Sequence, residues 1–530
     1  MLNRNLYYWI LSVLLSISLF VRFFLTFFRR LNADEFQHLH ASWMVHLGYL
    51  PYRDFWENHA PLLYFLFAPV LAFFGEGIPA VLAARTILSL MGLAIVVLVY
   101  RIARLDHDRN TALLAILVLS FSEIFLQKTI EFRTDQFAVF FWLISLYFCF
   151  RSFPVKKNSL LLIAGFFLGI GMLFSPKALL CFTASAILIA IQDLSQFAGI
   201  VKRLIYFFLG FLLPIIPLAL YFYAQGALSL LVESTVLQNL SYPDTRGPSF
   251  LLLPQNVGFL LLAFAGIYLS IRNRTPLLLI LPAFILLCIL IFWMPSTFSQ
   301  SALTFVPIFA VYAGVALKES IAWRSHSNFK NSLFLMFTLT TAFLVPVIAL
   351  YLRDGFAITN KDQSDRLQYI LKNTKQEEAI FDGNAAYVFR PQAYYYGSLV
   401  EGIRHQIDRG EIQESIVDSL KKHSCRIVIY DDRVSGLPEP IQNFIRSNYL
   451  PTGQYDIFVA GKKLSAENFS GNGAVFSIEL PFVYTIQTTT VNFRVDGKPY
   501  RKPIFLNRGK HQIASDKPLR HALVRADLPH

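Results

Sequence analysis

Charge is scarce in this sequence. Of 530 residues, 15% are Asp, Glu, Lys or Arg, against 55% hydrophobic and 51 Phe. Soluble chains average about 25% charged residues, so a wholly water-soluble globular protein is excluded. Cysteine is also rare: Cys149, Cys181 and Cys288 fall in apolar runs, and Cys425 stands alone in the tail. Four cysteines so spaced build neither a disulfide framework nor a CxxC metal site. No GxGxxG, HExxH or GxSxG motif is present, and no GxxxxGK followed by Ser or Thr. Nucleotide-driven transport and the common hydrolase schemes therefore lose their sequence support. The net charge of +13 comes without any Lys/Arg block interleaved with aromatics, so nucleic acid is not the expected partner.

What charge there is lies unevenly. Residues 1–352 hold 37 charged side chains and residues 353–530 hold 44, which is the normal soluble density only in the second part. The expected architecture is a polytopic α-helical membrane domain over 1–352, followed by a soluble region. A span needs roughly 20 apolar residues, and eleven candidates lie near 8–28, 78–100, 111–127, 134–150, 159–174, 178–192, 204–224, 253–271, 276–294, 300–317 and 331–352. The first has no small-residue cleavage site behind it and reads as an anchor. With the N-terminus cytoplasmic, the inner segments carry 14 basic residues and the outer loops seven. That bias, together with an odd number of spans, puts the tail outside a multi-pass inner or plasma membrane protein.

Two outer loops are long, 29–77 and 225–252, and function concentrates in loops of this kind. The first contains an apolar stretch, 61–74, too short to cross and better suited to an interfacial or re-entrant helix. In the tail, 353–465 alternates helical patterns (364–372, 412–422) with strand-like runs such as 426–430, giving an α/β domain. Residues 466–530 break into short strands (AVFSIEL, YTIQ, VNFRV, PIFL) around a DGKP turn, giving a small β-sandwich.

The chemistry-bearing residues crowd the outer edges. Asp34 and Glu35 lie just past the first span in LNADEFQHLHASW. Adjacent carboxylates there serve as a general base with an orienting or metal-binding partner; the competing reading is a helix N-terminus, where acids suit the dipole. His38 shares their helical face, so Asp34, Glu35 and His38 are the candidate metal ligands, although a zinc site needs more ligands than these. His59 is either a further ligand or a solvated loop histidine. Arg133 and Asp135 open the fourth span, beside Lys128 and Glu131, as a binding pair or a structural ion pair. Lys177, in the SPKALL turn, and Arg246, in YPDTRGP, are candidate phosphate cations; the alternatives are a snorkelling lysine and a solvated arginine. Arg85, inside the second span, needs a polar partner or else snorkels to the interface.

The order of these features resembles a family. An N-terminal span and the Asp-Glu pair lead into HASWMVHLGYLPYRDF and NHAPLLYFLFAPVLAFFGEG; an Arg-bearing second span, RTDQ and SPKALL follow. Over roughly residues 1–350 the chain is similar to the C-type glycosyltransferases of the protein O-mannosyltransferase superfamily, which includes the bacterial aminoarabinose lipid A transferases. The resemblance implies transfer of a sugar from a polyprenyl-phosphate carrier to an acceptor hydroxyl of a lipid, glycan or protein on the non-cytoplasmic face. It also implies that Asp34 is the catalytic base, Glu35 its partner, Asp135 a substrate-site acid and Lys177 the lysine facing the carrier phosphate. Many relatives carry Lys-Pro-Pro-Leu where this chain has Asn58-His59-Ala60-Pro61-Leu62, which removes a fixed positive charge.

The step makes physical sense. A lipid phosphate is a good leaving group, so one base plus cations suffices, whereas a glycosidase sets two carboxylates across one bond. Direct displacement implies inversion. No cofactor is required by this scheme, although a divalent cation is compatible with it. The alternatives are a lipid-linked sugar flippase, which predicts broken helices and polar residues buried mid-span, and a polysaccharide ligase, which leads with basic residues. A mere membrane anchor for a glycan-binding tail needs far fewer spans.

Overall fold

The computed structural model describes residues 4–191, 197–240, 249–273, 280–292, 298–322, 345, 347–349, 351–489 and 492–528. The chain divides into two compact units, and the division does not follow chain order. The first comprises residues 1–31, 57–73 and 80–360; the second comprises 32–56, 74–79 and 361–530.

The first unit is helical. Its helices are α1 (Arg4–Phe28), α3 (Leu62–Phe74), α4 (Ile78–Asp106), α5 (Arg109–Phe121), α6 (Glu123–Ile130), α7 (Thr134–Val155), α8 (Asn158–Met172), α9 (Ala178–Ile191) and α10 (Phe197–Ala224). After these come the short α11 (Leu228–Val232) and α12 (Gln238–Leu240), then α13 (Pro254–Arg272), α14 (Ile280–Phe292) and α15 (Val306–Ala322). With 25 residues at about 1.5 Å each, α1 is long enough for a bilayer core about 30 Å thick. Among the described residues, α1, α4, α7 and α10 pass as spans on length and composition, and the bent pair α5–α6 makes a fifth; α3, α8, α9, α13 and α14 are shorter apolar helices. This is a membrane protein. The third expected span turns by 65° between α5 and α6, at the polar pair Ser122-Glu123, where Ser122 takes an extended backbone. Most of the last expected span, 331–352, lies outside the described residues. One continuous core around Phe125, Trp142 and Phe309 joins the helices.

The second unit is the soluble part, and residues 32–56 of the first loop are folded into it. Within it α2 (Ala33–His46) is fastened to the tail by His40, whose Nδ1 lies 2.7 Å from the Val388 carbonyl and whose Nε2 lies 3.1 Å from Gln392 Oε1. The Trp56 N–H donates to the Tyr395 carbonyl, and the Tyr395 hydroxyl donates back to the Tyr52 carbonyl. Tyr52 holds φ at +70° inside this turn, an uncommon backbone state for a large side chain, and is fully buried there.

The tail supplies helices at Lys361–Asn373, Ile416–Lys422 and Glu439–Asn448, and eleven strands: β1 (Ile380–Phe381), β2 (Ile427–Ile429), β3 (Tyr449–Pro451), β4 (Ile457–Leu464), β5 (Gly473–Ile478), β6 (Phe482–Thr488), β7 (Phe493–Val495), β8 (Lys498–Pro499), β9 (Ile504–Leu506), β10 (Gly509–Ser515) and β11 (Ala522–Ala526). A seven-stranded sheet runs β1-β2-β4-β11-β6-β9 with β3 also on β4, and a four-stranded sheet runs β5-β10-β7-β8. The β1–β2 pair is parallel. The DGKP turn closes the β7–β8 hairpin, with Asp496 and Gly497 both at positive φ, as a tight hairpin turn requires. Strands β4 and β6 both pair with β11. One sheet therefore crosses positions 465 and 466, where the sequence reading divides an α/β domain from a β-rich one, and the two sheets share one core with Val459, Phe476, Ile513 and Val524.

Candidate active site

In the first unit, α6 ends at Ile130 and α7 begins at Thr134, and the extended residues between them turn charged side chains into a dry interior. Glu131 is fully buried. Its carboxylate takes Lys128 Nζ at 2.9 Å, Arg29 Nη1 at 2.9 Å and Arg133 Nη1 at 3.5 Å. Burial alone would push the Glu131 carboxyl up, but Lys128, Arg29 and Arg133 together outweigh it and hold it well below the usual carboxylate range. Arg29 also reaches Asp354 Oδ2 at 3.2 Å and Gln127 Oε1 at 3.0 Å, and Arg353 pairs with Asp354 at 2.9 Å. Asp135, buried in the first turn of α7, pairs with Lys177 Nζ at 2.7 Å and Arg133 Nε at 3.5 Å, and His59 lies within electrostatic reach of it.

The structure therefore brings Arg133, Asp135, Lys177 and His59 together. It adds residues that the sequence reading did not single out as site residues: Arg29, Asp354, Gln127 and Glu57. Glu57 is buried, and its Oε1 accepts the backbone N–H groups of Asn58 and His59 and lies 2.8 Å from His59 Nδ1. Asn239 Nδ2, from the second long loop, donates to the Asn58 carbonyl at 2.8 Å. The one signal for these residues in the sequence is that any charge in so uncharged a segment needs a partner.

Two further arginines hold this unit's frame. Arg22, buried in α1, donates to Thr129 Oγ1 at 2.9 Å and to the Thr129 carbonyl at 3.4 Å, and lies over the Phe125 ring. Gly92 on α4 leaves room for it: a Cβ there would stand 2.5 Å from Arg22 Nη1. Arg85, also buried, donates Nη1 to the Arg29 carbonyl at 2.7 Å and Nη2 to the Arg30 carbonyl at 3.1 Å. It thereby closes off the carbonyls at the C-terminus of α1, which have no partner within the helix.

In the second unit, Asn32 caps α2. Its side chain accepts the Asp34 N–H, while Glu35 Oε2 accepts the Asn32 N–H at 2.8 Å, forming a capping box. Glu35 is thus buried and committed to the cap, whereas Asp34 is half-buried at the helix start. His38 is buried one turn on, and its carbonyl accepts the Ser42 hydroxyl. Of the three expected metal ligands, Glu35 has an oxygen engaged by the Asn32 backbone N–H. Arg246 lies outside the described residues. A second pair of acids, Asp382 and Asp431, is structural: Asp382 accepts the N–H groups of Ala385 and Ala386, and Asp431 those of Gly383 and Val434.

Residues 58–221 match the family described as dolichyl-phosphate-mannose-protein mannosyltransferase. No curated protein matches the chain by sequence. ArnT from Cupriavidus metallidurans in the apo state is similar in structure, with a TM-score of 0.60 at 14% identity over 85% of this chain and 97% of that one. The same protein bound to undecaprenyl phosphate gives 0.55 at 13% identity over the same shares. The apo Archaeoglobus fulgidus oligosaccharyltransferase gives 0.54 at 13% identity, over 86% of this chain and 74% of that one. The chain has the fold of the C-type membrane glycosyltransferases. Of the expected site residues, the stretch that matches the mannosyltransferase family contains His59, Arg133, Asp135 and Lys177, while Asp34 and Glu35 precede it and Arg246 follows it.

Proposed function

We propose that the protein transfers a sugar from a polyprenyl-phosphate carrier to an acceptor hydroxyl on the non-cytoplasmic face of the membrane, with the N-terminus cytoplasmic and the tail outside. The observation that carries this reading is the buried charge cluster of the first unit. Arg29, Lys128, Arg133 and Lys177 are ion-paired there with Glu131, Asp135 and Asp354. Lys177, partly exposed beside the buried Asp135, is a cation at the edge of a dry cluster that can trade its carboxylate partner for a ligand anion, and a lipid phosphate is the anion this reading supplies. The ArnT structure with undecaprenyl phosphate supports the same donor class.

In the reaction, the acceptor oxygen attacks the anomeric carbon, and the bond from that carbon to the phosphate oxygen breaks with its electron pair going to the phosphate. Asp34 takes the acceptor's proton. Lys177 and Arg133, steadied by Asp135, oppose the charge that develops on the departing phosphate. Glu35 holds the helix start that presents Asp34, and Arg246 and His59 complete the substrate contacts. A divalent cation at Asp34 and His38 is compatible with the scheme but is not required by it. The sugar, hexose or pentose, is set by parts of the pocket that these residues do not define.

Radiolabelled polyprenyl-phosphate sugars incubated with the purified protein measure the step directly as loss of label from lipid. Asp34→Asn is expected to reduce donor consumption by about 10²-fold or more, the usual contribution of a positioned base. Unchanged consumption in the variant would remove Asp34 from the mechanism. No consumption of any donor by the folded wild-type protein would overturn the transferase reading in favour of flippase or ligase.

A further inference from the structure

The second unit carries a cavity of about 730 Å³ on the solvent face of its larger sheet. That volume lies within the range of ligand pockets, roughly 300–1,000 Å³. Its floor is built by alternation: on β6, Tyr484 and Ile486 point into the core while Val483, Thr485 and Gln487 face out, and on β11, Ala522 and Val524 point in while Leu523 and Arg525 face out. The register sets Arg525 opposite Thr485 and Leu523 opposite Gln487, so polar and flat apolar groups sit side by side.

The walls are fixed. Arg426 donates Nη1 to the Asp527 carbonyl at 3.1 Å, pairs with Glu378 at 3.1 Å and lies over the Phe482 ring. The Asp527 carboxylate takes the Thr485 hydroxyl. Arg525 is different. Among the described residues its side chain makes one hydrogen bond, Nη2 to the Pro451 carbonyl at 3.3 Å, so most of its five donors stay available. Gln487 is exposed beside it.

We propose that this cavity is a saccharide-binding site whose ligand is an acidic oligosaccharide. The planar polar groups of Arg525 and Gln487 suit vicinal hydroxyls, and Asn373, whose Nδ2 donates to the Tyr369 carbonyl, offers its side-chain oxygen. The apolar surfaces of Val483, Pro503 and Leu523 suit the C–H face of a sugar ring. Arg426 is paired with Glu378 and the Asp527 carboxylate is engaged by the Thr485 hydroxyl, which leaves the Arg525 guanidinium, with most of its donors unused, to take a carboxylate or phosphate substituent. A peptide strand cannot add to the sheet here, because β6 and β11 are each already paired on both sides. The inference is independent of the transferase reading and holds whatever sugar the enzyme moves.

Titrating the full-length protein in detergent with trigalacturonate, maltotriose and inorganic phosphate tests it. Trigalacturonate is expected to bind and maltotriose to bind more weakly. Arg525→Ala is expected to weaken trigalacturonate about tenfold, and Thr485→Trp, which fills the floor, to abolish binding, with the melting temperature of both variants near wild type. Binding of neither saccharide overturns the proposal. So does trigalacturonate binding that both variants leave unchanged, and so does phosphate binding as tightly as trigalacturonate, which would make the cavity a simple anion site.

Discussion

Arg22 and Arg85 place two permanent charges inside helices that face hydrocarbon, and each is tolerated because backbone carbonyls take its donors. The sequence marks Arg85 as needing a partner, since it interrupts an apolar run. That partner, the carbonyl end of α1, is not readable, because a carbonyl has no residue type. Arg22 is less conspicuous still, and what allows it is the missing side chain of Gly92, whose Cβ would stand 2.5 Å from the guanidinium. Gly92→Val should therefore push Arg22 off Thr129. Losing charged hydrogen bonds in a buried place costs about 1.5–3 kcal/mol each, so a fall in melting temperature is expected, together with weaker donor consumption. Both arise because Thr129 lies two residues before Glu131 and its surrounding cations. A variant with the wild-type melting curve would show that α4 yields to the new side chain and that Gly92 is not what seats Arg22.

Among elements, glycine again decides how closely helices approach. Helices α8 and α10 touch backbone to backbone: a Cβ on Gly165 would stand 1.9 Å from the Phe207 carbonyl oxygen, and one on Gly210 would stand 2.0 Å from that of Leu162. Gly169 makes room in the same way for Pro214 of α10. Small residues four apart are how apolar helices pack when lipid offers no hydrophobic drive, so Gly165-x-x-x-Gly169 is a legible motif, although its partner Gly210 is not. Gly165→Leu should force the two helices apart. Overpacking costs typically 1–3 kcal/mol, and the obstacle here is rigid backbone, so we expect an effect at the top of that range or beyond, seen as early loss of helical circular dichroism on heating. Helix positions are largely readable because twenty apolar residues have few other fates, and the DGKP hairpin is readable because Asp-Gly fits few other turns. The break between α5 and α6 is not, since neither Pro nor Gly announces it.

At the scale of the whole molecule, the sequence suggests a membrane domain with a soluble region appended, because composition changes near residue 353. The fold disagrees in one respect. Residues 32–56, which carry the proposed base, belong to the same compact unit as the tail. The bonds that put them there link side chains to backbone over great distances: His40 and Val388 are 348 residues apart. Neither local period nor charge pattern records such a pairing. The consequence is testable. If the tail were an independent appendage, ending the chain after Asn360 would leave transfer intact. As α2 rests on Val388, Gln392 and the Tyr52–Tyr395 bond, we expect the shortened protein to stay membrane-bound and helical yet to consume no donor. His40→Leu in the full-length protein should act in the same direction more mildly, because it deletes two buried hydrogen bonds worth about 0.5–1.5 kcal/mol each and leaves their acceptors unsatisfied. A shortened chain that still discharges its lipid donor at the wild-type rate would show that α2 holds Asp34 in place without the tail, and the tail's role in presenting that base would fail with it.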